Sequence, residues 1–191
     1  MSKRKIVIGI TGASGSIYAE SLLKHLSKID KSELQTDIVM SDVAKTVWQQ
    51  ELRNKDFENY DFRIYKNSNF YAPFASGSAG YDTMIIIPCS MGTLGRIAHG
   101  VSNDLISRAA DVILKEKQNL IIVPRETPFN HIHIKNLETL STAGVDIIPA
   151  MPSFCSRPQT IEEVINTVVH RVLQHAGFDV DTYRWGGENQ E

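Results

Sequence analysis

Hydrophobic residues recur along the chain with two alternating periods, and these periods predict alternating strands and helices. Six short β-rich runs predict strands, and the run 83–87 is so uniformly apolar that it predicts a central strand covered on both faces. Six longer segments carry apolar residues at helical spacing. The predicted strands are 5–11, 35–40, a short one near 62–65, 83–87, 120–123 and 145–148, and the predicted helices are 16–28, 42–52, 91–99, 103–116, 130–143 and 160–176.

Strands that alternate with helices predict a parallel sheet, because each parallel connection needs a crossover. Right-handed crossovers place helices on both faces, which gives a single Rossmann-like (flavodoxin-like), doubly wound α/β domain. The domain is expected over residues 1–185, followed by a loose tail at 186–191. Two helix starts are also indicated, since Ser41 is an N-cap candidate and Thr160 with Glu163 forms a capping box.

Composition and charge exclude several classes of function. The 191 residues carry 20 Lys+Arg against 22 Asp+Glu, and a net charge of −2 gives no electrostatic case for binding nucleic acid. No apolar run approaches the roughly 18–20 residues that span a bilayer, so no membrane partner is expected. Cys89 and Cys155 form neither a disulfide framework nor a metal motif, and Cys89 fits a buried small hydrophobe. The sequence indicates a cytoplasmic protein that holds no metal.

Small and hydroxyl-bearing residues follow five of the predicted strands. Ligands bind at the carboxyl ends of the strands in such sheets, so these residues are expected to gather at one edge. The loop 12–16 has the composition of a phosphate-binding loop, because glycines allow close backbone approach and the following helix supplies free N–H groups. A plain tight turn is the alternative. The five segments are 12–16, Ser41, 89–93, 125–128 and 149–158.

These loops fit a mononucleotide better than a dinucleotide. The sequence TGASG at 11–15 is similar to the opening of a short-chain dehydrogenase, but Tyr18 stands where the third glycine is expected. No tyrosine begins a YxxxK pair, although Asp42 leaves a ribose contact open. Two loops of glycines and hydroxyls, together with Ser41, suit one phosphate and one planar ring system.

Three cations on predicted helices have two interpretations each. Arg108 and Lys115 lie on almost one line of their helix, where they either face an anion or form ion pairs with Asp104 and Asp111. Arg171 lies at the edge of an apolar stripe, a position that also suits a surface cation with a buried stem. The spacing alone leaves both interpretations open.

Arg125 and Glu126 directly follow a predicted strand, and Pro128 restricts the chain behind them. This position places them where a cleft is expected. A carboxyl there can act as an acid or base if desolvation raises its pKa. A purely structural Arg–Glu pair is the alternative.

Taken in order, these motifs resemble the flavin prenyltransferases of the UbiX type, formerly described as aromatic acid decarboxylases. The resemblance runs from the first strand to the last helix. Each motif alone is weak, and their shared order makes the resemblance specific. The motifs are Gly12-Ala13-Ser14-Gly15 with Tyr18, Pro88-Cys89-Ser90 with Thr93-Leu94, Arg108-Ala109-Ala110-Asp111-Val112 leading to Leu114-Lys115-Glu116, Arg125-Glu126-Thr127-Pro128 and Arg157-Pro158-Gln159.

The resemblance implies transfer of a dimethylallyl group from dimethylallyl monophosphate to N5 and C6 of reduced FMN. The product, prenylated FMN, would serve a separate decarboxylase in ubiquinone biosynthesis or aromatic acid decarboxylation. It also implies a homo-oligomer, a dodecamer with FMN at subunit interfaces. The implied FMN contacts are Gly12, Ala13, Ser14, Ser41, Ser90, Met91, Gly92, Thr93, Arg108 and Arg125, the implied substrate contacts are Glu51, Lys115, Arg125, Glu126, Cys155 and Arg171, and the implied catalytic residues are Glu126 and Ser14.

The chemistry explains why cations are expected around the substrate. Breaking the allylic C–O bond leaves charge on the phosphate, and the sequence has no carboxylate-rich magnesium motif to neutralise it. Cationic side chains are therefore expected to stabilise that charge in a metal-independent transfer. Glu126 would handle protons as N5 and C6 are alkylated.

One departure and two alternatives accompany this interpretation. Relatives usually carry Phe-Tyr where this chain has Phe154 and Cys155, and a thiol is a weaker and shorter donor than a phenol. Tyr183 is a candidate to supply the phenol hydrogen-bond donor that Cys155 does not provide. A flavin-dependent cysteine-type decarboxylase is one alternative, disfavoured because PAMP at 149–152 stands where those enzymes carry Pro-Ala-Met-Asn. A non-catalytic FMN-binding carrier is the other.

Overall fold

A computed structural model describes residues 3–183, and within them it contains one parallel sheet of six strands. The order across the sheet is β3-β2-β1-β4-β5-β6, and every neighbouring pair is parallel. The order reverses between β1 and β4, which is the switch point where doubly wound sheets bind ligands. The strands are β1 (Arg4–Ile10), β2 (Leu34–Met40), β3 (Arg63–Lys66), β4 (Thr83–Cys89), β5 (Asn119–Pro124) and β6 (Asp146–Ile147).

Helices cover both faces of the sheet, as predicted. Successive residues of each strand point to opposite faces, so Ile6 and Ile8 pack with α1, α2 and α6, whereas Val7 packs with α3, α4 and α5. Both layers are apolar and fully buried at their centres. The helices are α1 (Ser16–Leu26), α2 (Asp42–Leu52), α3 (Met91–Ala98), α4 (Leu105–Lys115), α5 (His131–Thr142) and α6 (Ile161–His175).

Side-chain caps determine where most of these helices begin. Ser41 caps α2, and Thr160 with Glu163 forms the predicted capping box of α6. Asp104 and Asn130 form further capping boxes at α4 and α5. Each cap satisfies backbone N–H groups that the first turn of a helix leaves unpaired.

Differences from the predicted elements are small and lie mainly at their ends. α1 ends at Leu26 instead of 28, and β6 has two residues instead of four. The stretch 72–80, predicted as loop, contains two 3₁₀ turns, Pro73–Ala75 and Gly77–Ala79. They form because Phe74 is buried against two tyrosine rings, which draws the chain onto the sheet. The predicted tail at 186–191 lies outside the described residues.

Among residues 3–183, no helix combines the length and the hydropathy that crossing a bilayer requires.

Candidate functional site

The ends of four strands are tied together at the carboxyl edge of the sheet. Thr11 Oγ1 donates a hydrogen bond to the Pro88 carbonyl at 2.8 Å and accepts one from the Ser90 N–H at 2.7 Å. The Ser41 N–H donates to the Ile10 carbonyl. Together with a bond from the Arg125 N–H to the Cys89 carbonyl, these contacts bring the predicted segments 12–16, 41, 89–93 and 125–128 to one edge.

Two glycines of the first loop occupy positions that exclude a side chain or favour glycine. A Cβ on Gly12 would lie 2.4 Å from Val43 Cγ1, so the loop packs directly against the first turn of α2. Gly15 has a φ of +110°, a left-handed conformation that L-residues rarely adopt. The glycines therefore set the path of the loop into α1.

The N-terminus of α1 holds a carboxylate from the neighbouring helix. Gly15, the N-cap residue of α1, has no side chain to cap it. Glu51, in the last turn of α2, fills this role by accepting hydrogen bonds from the Gly15 N–H at 2.9 Å and from the Ser16 N–H at 2.8 Å. A helix N-terminus carries partial positive charge, which favours an anion at this position. The loop thus holds an anionic oxygen of the protein's own Glu51, which both the phosphate-loop interpretation and the tight-turn alternative allow.

The surroundings of Glu51 keep it ionised. Burial is the largest influence on its pKa and acts upward, but hydrogen bonds from the Ser14 side chain and from Ser16 and Gly15 outweigh it, so the pKa is lowered. Glu51 therefore presents a full negative charge to the loop at neutral pH. A phosphate that enters the loop has to displace this carboxylate or bind beside it.

Two of the implied FMN contacts serve here as helix caps. Ser41 Oγ accepts a hydrogen bond from the Ala44 N–H at 3.1 Å, and Ser90 Oγ accepts one from the Thr93 N–H at 3.4 Å. Ser90 also donates its hydroxyl proton to Thr93 Oγ1. Within residues 3–183 the hydroxyl proton of Ser41 has no acceptor, so this proton can be offered to a ligand.

The remaining residues of these loops differ in how far a ligand can reach them. Cys89 is fully buried, and burial raises the pKa of its thiol to about 12, which fits the buried hydrophobe expected at this position. Ala13 and Met91 are also buried. At Gly92 a Cβ would find its nearest neighbour 3.8 Å away, in the Arg96 guanidinium, so the backbone is open to a ligand.

Arg96, which the sequence patterns did not single out, lies beneath the second loop. Its Nη2 donates to Thr93 Oγ1 at 3.0 Å and to the Asp104 carboxylate at 3.2 Å. Its Nε is buried and has no hydrogen-bond partner among the described residues. Arg96 follows Thr93 by three residues on α3, and this helical spacing is the signal that could have identified it.

Arg125 and Glu126 both lie exposed at the edge, and no ion pair joins them in the part of the chain that is described. The alternative of a structural Arg–Glu pair is therefore wrong. Glu126 instead accepts a hydrogen bond from the Thr127 N–H at 3.0 Å. Arg125 lies beside the ring of Tyr18, a residue of the predicted first-loop motif to which no role was assigned. The pKa of Tyr18 is raised by burial and partly lowered again by the Arg125 charge. Because Glu126 is exposed, the desolvation that an acid/base role requires has to come from whatever covers this edge.

Arg108 and Lys115 do not lie together with the loops of their own chain. Arg108 donates to the Ala75 carbonyl at 3.2 Å and to Asp111 at 2.9 Å. Lys115, the last residue of α4, pairs with Glu116 close to the start of β5, at the opposite edge of the sheet.

The suggested ion pairs Asp104–Arg108 and Asp111–Lys115 are both wrong. Asp104 caps α4 and pairs with Arg96 at 3.2 Å. Asp111 pairs with Arg108, which leaves Lys115 to Glu116.

Arg171 lines a cavity between α6 and the segment that follows β6, and Cys155 lies beside it. The cavity of about 350 Å³ is lined by Arg171, Tyr183, Ser153 and Ser156, among others. Cys155 lies between the two serines in an exposed turn. The cavity places a guanidinium, a phenol and hydroxyls around one space, next to the departure from the family pattern.

Comparison with known proteins gives consistent matches over almost the whole chain. The flavoprotein family model matches residues 1–173. Flavin prenyltransferase UbiX of Methanocaldococcus jannaschii is 42% identical over 185 residues, which covers 95% of this chain and 98% of the relative.

Solved structures agree with this match. The dodecameric FMN-dependent UbiX-like decarboxylase of Escherichia coli O157:H7 superposes with a TM-score of 0.88 at 39% identity, covering 96% of this chain and 100% of that chain. AnUbiX (PadA1), in complex with FMN and dimethylallyl pyrophosphate, has a TM-score of 0.88 at 36% identity and covers 97% and 98%.

The FMN-dependent cysteine decarboxylase TvaF, from thioviridamide biosynthesis, represents the alternative of a cysteine-type decarboxylase. It has a TM-score of 0.62 at 15% identity, covering 92% of this chain and 98% of that chain, and shares the fold alone. The sequence matches fall instead on proteins named flavin prenyltransferase, and they extend over the same loops that the structure gathers at one edge. The chain therefore belongs to the flavoprotein family, among the flavin prenyltransferases of the UbiX type.

Proposed function

We propose that this chain joins the dimethylallyl group of dimethylallyl monophosphate to N5 and C6 of reduced FMN. Bond formation at N5 breaks the allylic C–O bond, releases phosphate and displaces the N5 proton. Bond formation at C6 then uses the allylic C=C bond, which takes up a proton, while C6 loses its own proton. The observation that carries the proposal is the anion-binding N-terminus of α1, with Glu51 held on the N–H groups of Gly15 and Ser16 and Arg125 close by. A monophosphate has the charge and oxygen geometry that these donors accept.

The same edge fits the binding of FMN. The loop after β1 has already accepted an anionic oxygen, that of Glu51, and Ser41 retains a hydroxyl proton to donate. Gly92 leaves its backbone open for close approach. The residues of one chain that would hold FMN are Gly12, Ala13, Ser14, Ser41, Ser90, Met91, Gly92, Thr93 and Arg125, and Arg108 would reach it from another copy of the chain. Reduced FMN supplies the nucleophilic N5 and C6 atoms.

The residues of the chain have separate roles in this transfer. Arg125, Lys115 and Arg171 would stabilise charge on the phosphate as the C–O bond breaks, which removes the need for a metal ion. Glu126 would accept the proton that leaves C6 and supply the proton that the allylic C=C bond takes up. Ser14, which hydrogen-bonds Glu51, would orient the phosphate at the start of α1.

We further propose that the site is completed between copies of the chain. Lys115 lies at the opposite edge of the sheet from the loops, so it can meet a phosphate only at another copy's edge. Large apolar side chains also lie exposed, among them Tyr71, Met151 and Phe154. A homo-dodecamer satisfies both features, and light scattering on the purified protein should then give the mass of twelve chains.

The product would serve as cofactor for a separate decarboxylase, a partner that acts on an unsaturated or aromatic acid. Co-expression of this chain with such a decarboxylase should convert the decarboxylase from an inactive to an active form. The cytoplasmic location and the absence of nucleic-acid partners stay predictions.

Two parallel reactions test the proposed function against its alternatives. The purified chain is incubated under argon either with reduced FMN and dimethylallyl monophosphate or with oxidised FMN and a peptide ending in cysteine. A heavier flavin in the first reaction supports prenyl transfer. Loss of carbon dioxide from the peptide would favour the cysteine-type decarboxylase, and bound FMN without either product would favour the carrier.

A further inference from the structure

One guanidinium at the second strand-end loop has N–H groups that the protein itself does not use. Arg96, in the last turn of α3, donates through Nη2 to Thr93 Oγ1 at 3.0 Å and to the Asp104 carboxylate at 3.2 Å. Over residues 3–183, neither Nε nor Nη1 has an acceptor, and Nε is buried. A guanidinium carries N–H donors on all of its nitrogens, so this one is held by Nη2 and can offer the others to a ligand.

The unpaired Nη1 lies beside the open backbone of Gly92. A helical side chain leans towards the N-terminus of its helix, so Arg96 covers the turn that contains Gly92, four residues earlier. Outside the backbone of α3, Nη1 is the nearest heavy atom to the position of a Cβ on Gly92, at 3.8 Å. Because Gly92 has no side chain to cover the guanidinium, a ligand that lies on this backbone comes within reach of Nη1.

Asp104 fixes the guanidinium without cancelling the positive charge at the loop. Its Oδ1 accepts a hydrogen bond from the Ser107 N–H at 2.8 Å, in the capping box of α4, while its Oδ2 accepts one from Arg96. The N-termini of α3 and α4 both belong to this cluster, and each carries about half an elementary positive charge. The guanidinium, the carboxylate and the two helix N-termini together leave the loop positive by about one elementary charge.

The ring of FMN fits this charge better than the phosphate of FMN does. A phosphate finds backbone N–H groups at the start of α1, where Glu51 is held. The second loop instead has open backbone at Gly92, which suits a planar ring that lies against it. The reduced flavin ring can lose its N1 proton, and N1 and the C2 carbonyl oxygen then share a negative charge. A charge near N1 is one of the means by which a protein tunes a flavin.

We propose that Arg96 donates from Nη1 to the flavin ring of FMN and stabilises the reduced, anionic form of that ring. This inference rests on the proposed function, since the ring has to lie on the second loop. A hydrogen bond between a charged donor and a charged acceptor is stronger than one to a neutral acceptor, so Arg96 favours reduced over oxidised FMN. The chain thereby selects the redox form that the proposed transfer consumes. Arg96 adds no covalent step and moves no proton.

The affinities of the two redox forms of FMN test this role without prenyl transfer. A fluorescence titration of the full chain gives the Kd of oxidised FMN. The reduction potential of bound FMN, measured under argon against a reference dye, then gives the ratio of the two affinities. Arg96→Gln should weaken reduced FMN about tenfold more than oxidised FMN, the effect of one lost charge at a site that solvent partly screens. Arg96 is 34% exposed.

Three further variants separate the charge of Arg96 from its shape. Arg96→Lys keeps the charge and should stay within about threefold of the wild-type ratio. Asp104→Asn keeps a residue that can cap α4 and removes the negative charge beside Arg96, so the preference for reduced FMN should rise. Arg63→Gln is the matched control, because Arg63 is an exposed arginine at the first turn of β3, at the opposite edge of the sheet, and should change neither affinity.

Riboflavin distinguishes a contact to the ring from a contact to the phosphate. It has the ring of FMN and no phosphate, so Arg96→Gln should weaken reduced riboflavin and reduced FMN by the same factor. An equal loss of oxidised and reduced FMN, or a loss that is absent with riboflavin, would overturn the proposal.

The same measurements show which claim fails. A wild-type chain that binds neither form of FMN would contradict the proposed function as well. A wild-type chain that binds both forms, with an unchanged ratio in Arg96→Gln, would contradict the role of Arg96 alone. If Arg96→Gln does not fold, Asp104→Asn decides, since a preference for reduced FMN that does not rise there would overturn the proposal.

Discussion

Replacing Glu51 tests the finding that α2 caps α1 through a side chain from outside the helix. Glu51→Ala removes the acceptor from the N–H groups of Gly15 and Ser16, whereas Glu51→Gln keeps an oxygen and removes the charge. Loss of a helix N-cap acceptor costs about 0.5–2 kcal/mol. Because Glu51 is exposed, the lower half of that range applies, about 1 kcal/mol for Glu51→Ala and less for Glu51→Gln.

Thermal and urea unfolding measure this effect. For a domain of this size, about 1 kcal/mol lowers the unfolding midpoint by about 2–4 °C. Glu33→Gln changes another exposed glutamate and serves as the control, with an expected change within about 0.5 kcal/mol.

The pH dependence follows from the lowered pKa of Glu51. A carboxyl whose pKa is lower in the folded chain stabilises the fold above the unfolded-state value of 4.5, and this stability is lost as the pH falls through the folded-state pKa. The stability difference between wild type and Glu51→Gln should therefore be complete at pH 7 and disappear towards pH 3. Equal stability at pH 7, or a difference that persists at pH 3, would refute the reasoning.

Four further substitutions examine the proposed roles. Ser14→Ala and Ser41→Ala should each weaken FMN about ten- to a hundredfold in a fluorescence titration, because a hydrogen bond to a charged phosphate contributes about 1.5–3 kcal/mol; tight NADPH binding without flavin affinity would contradict this. Glu126→Gln should keep FMN binding and lower turnover about 10²–10⁴-fold, and full activity would exclude its acid/base role. Cys155→Tyr should lower the KM for dimethylallyl monophosphate about fivefold at unchanged turnover, since Cys155 lies in an exposed turn, whereas lost activity would indicate a pocket rebuilt around the thiol.

Local patterns were sufficient to predict the fold. The apolar run that becomes β4 is buried along its whole length, and the capping box of Thr160 and Glu163 begins α6 as predicted. Because the period of hydrophobic residues and the helix caps act over a few neighbouring positions, they can be read from a single sequence. The rule of right-handed crossovers predicted helices on both faces of the sheet, whereas the strand order was not predicted from the sequence.

The contacts within the site depend on residues far apart in the chain. Glu51 caps a helix that begins 35 residues earlier, and no local pattern links the two. Lys115 falls at the far edge of the sheet because α4 runs the length of the domain before β5 begins. Arg96 was missed and Tyr18 was assigned no role for the same reason, since their partners, Asp104 and Arg125, come from other elements.

The central claim is that this chain transfers a dimethylallyl group to reduced flavin without a metal ion. One anaerobic reaction tests it directly: the protein, reduced FMN and dimethylallyl monophosphate in excess EDTA, followed by mass spectrometry of the flavin and an assay of free phosphate. The account predicts a flavin heavier by one C₅H₈ unit and one phosphate released for each flavin converted. A flavin of unchanged mass, recovered from a chain that binds FMN, would contradict it.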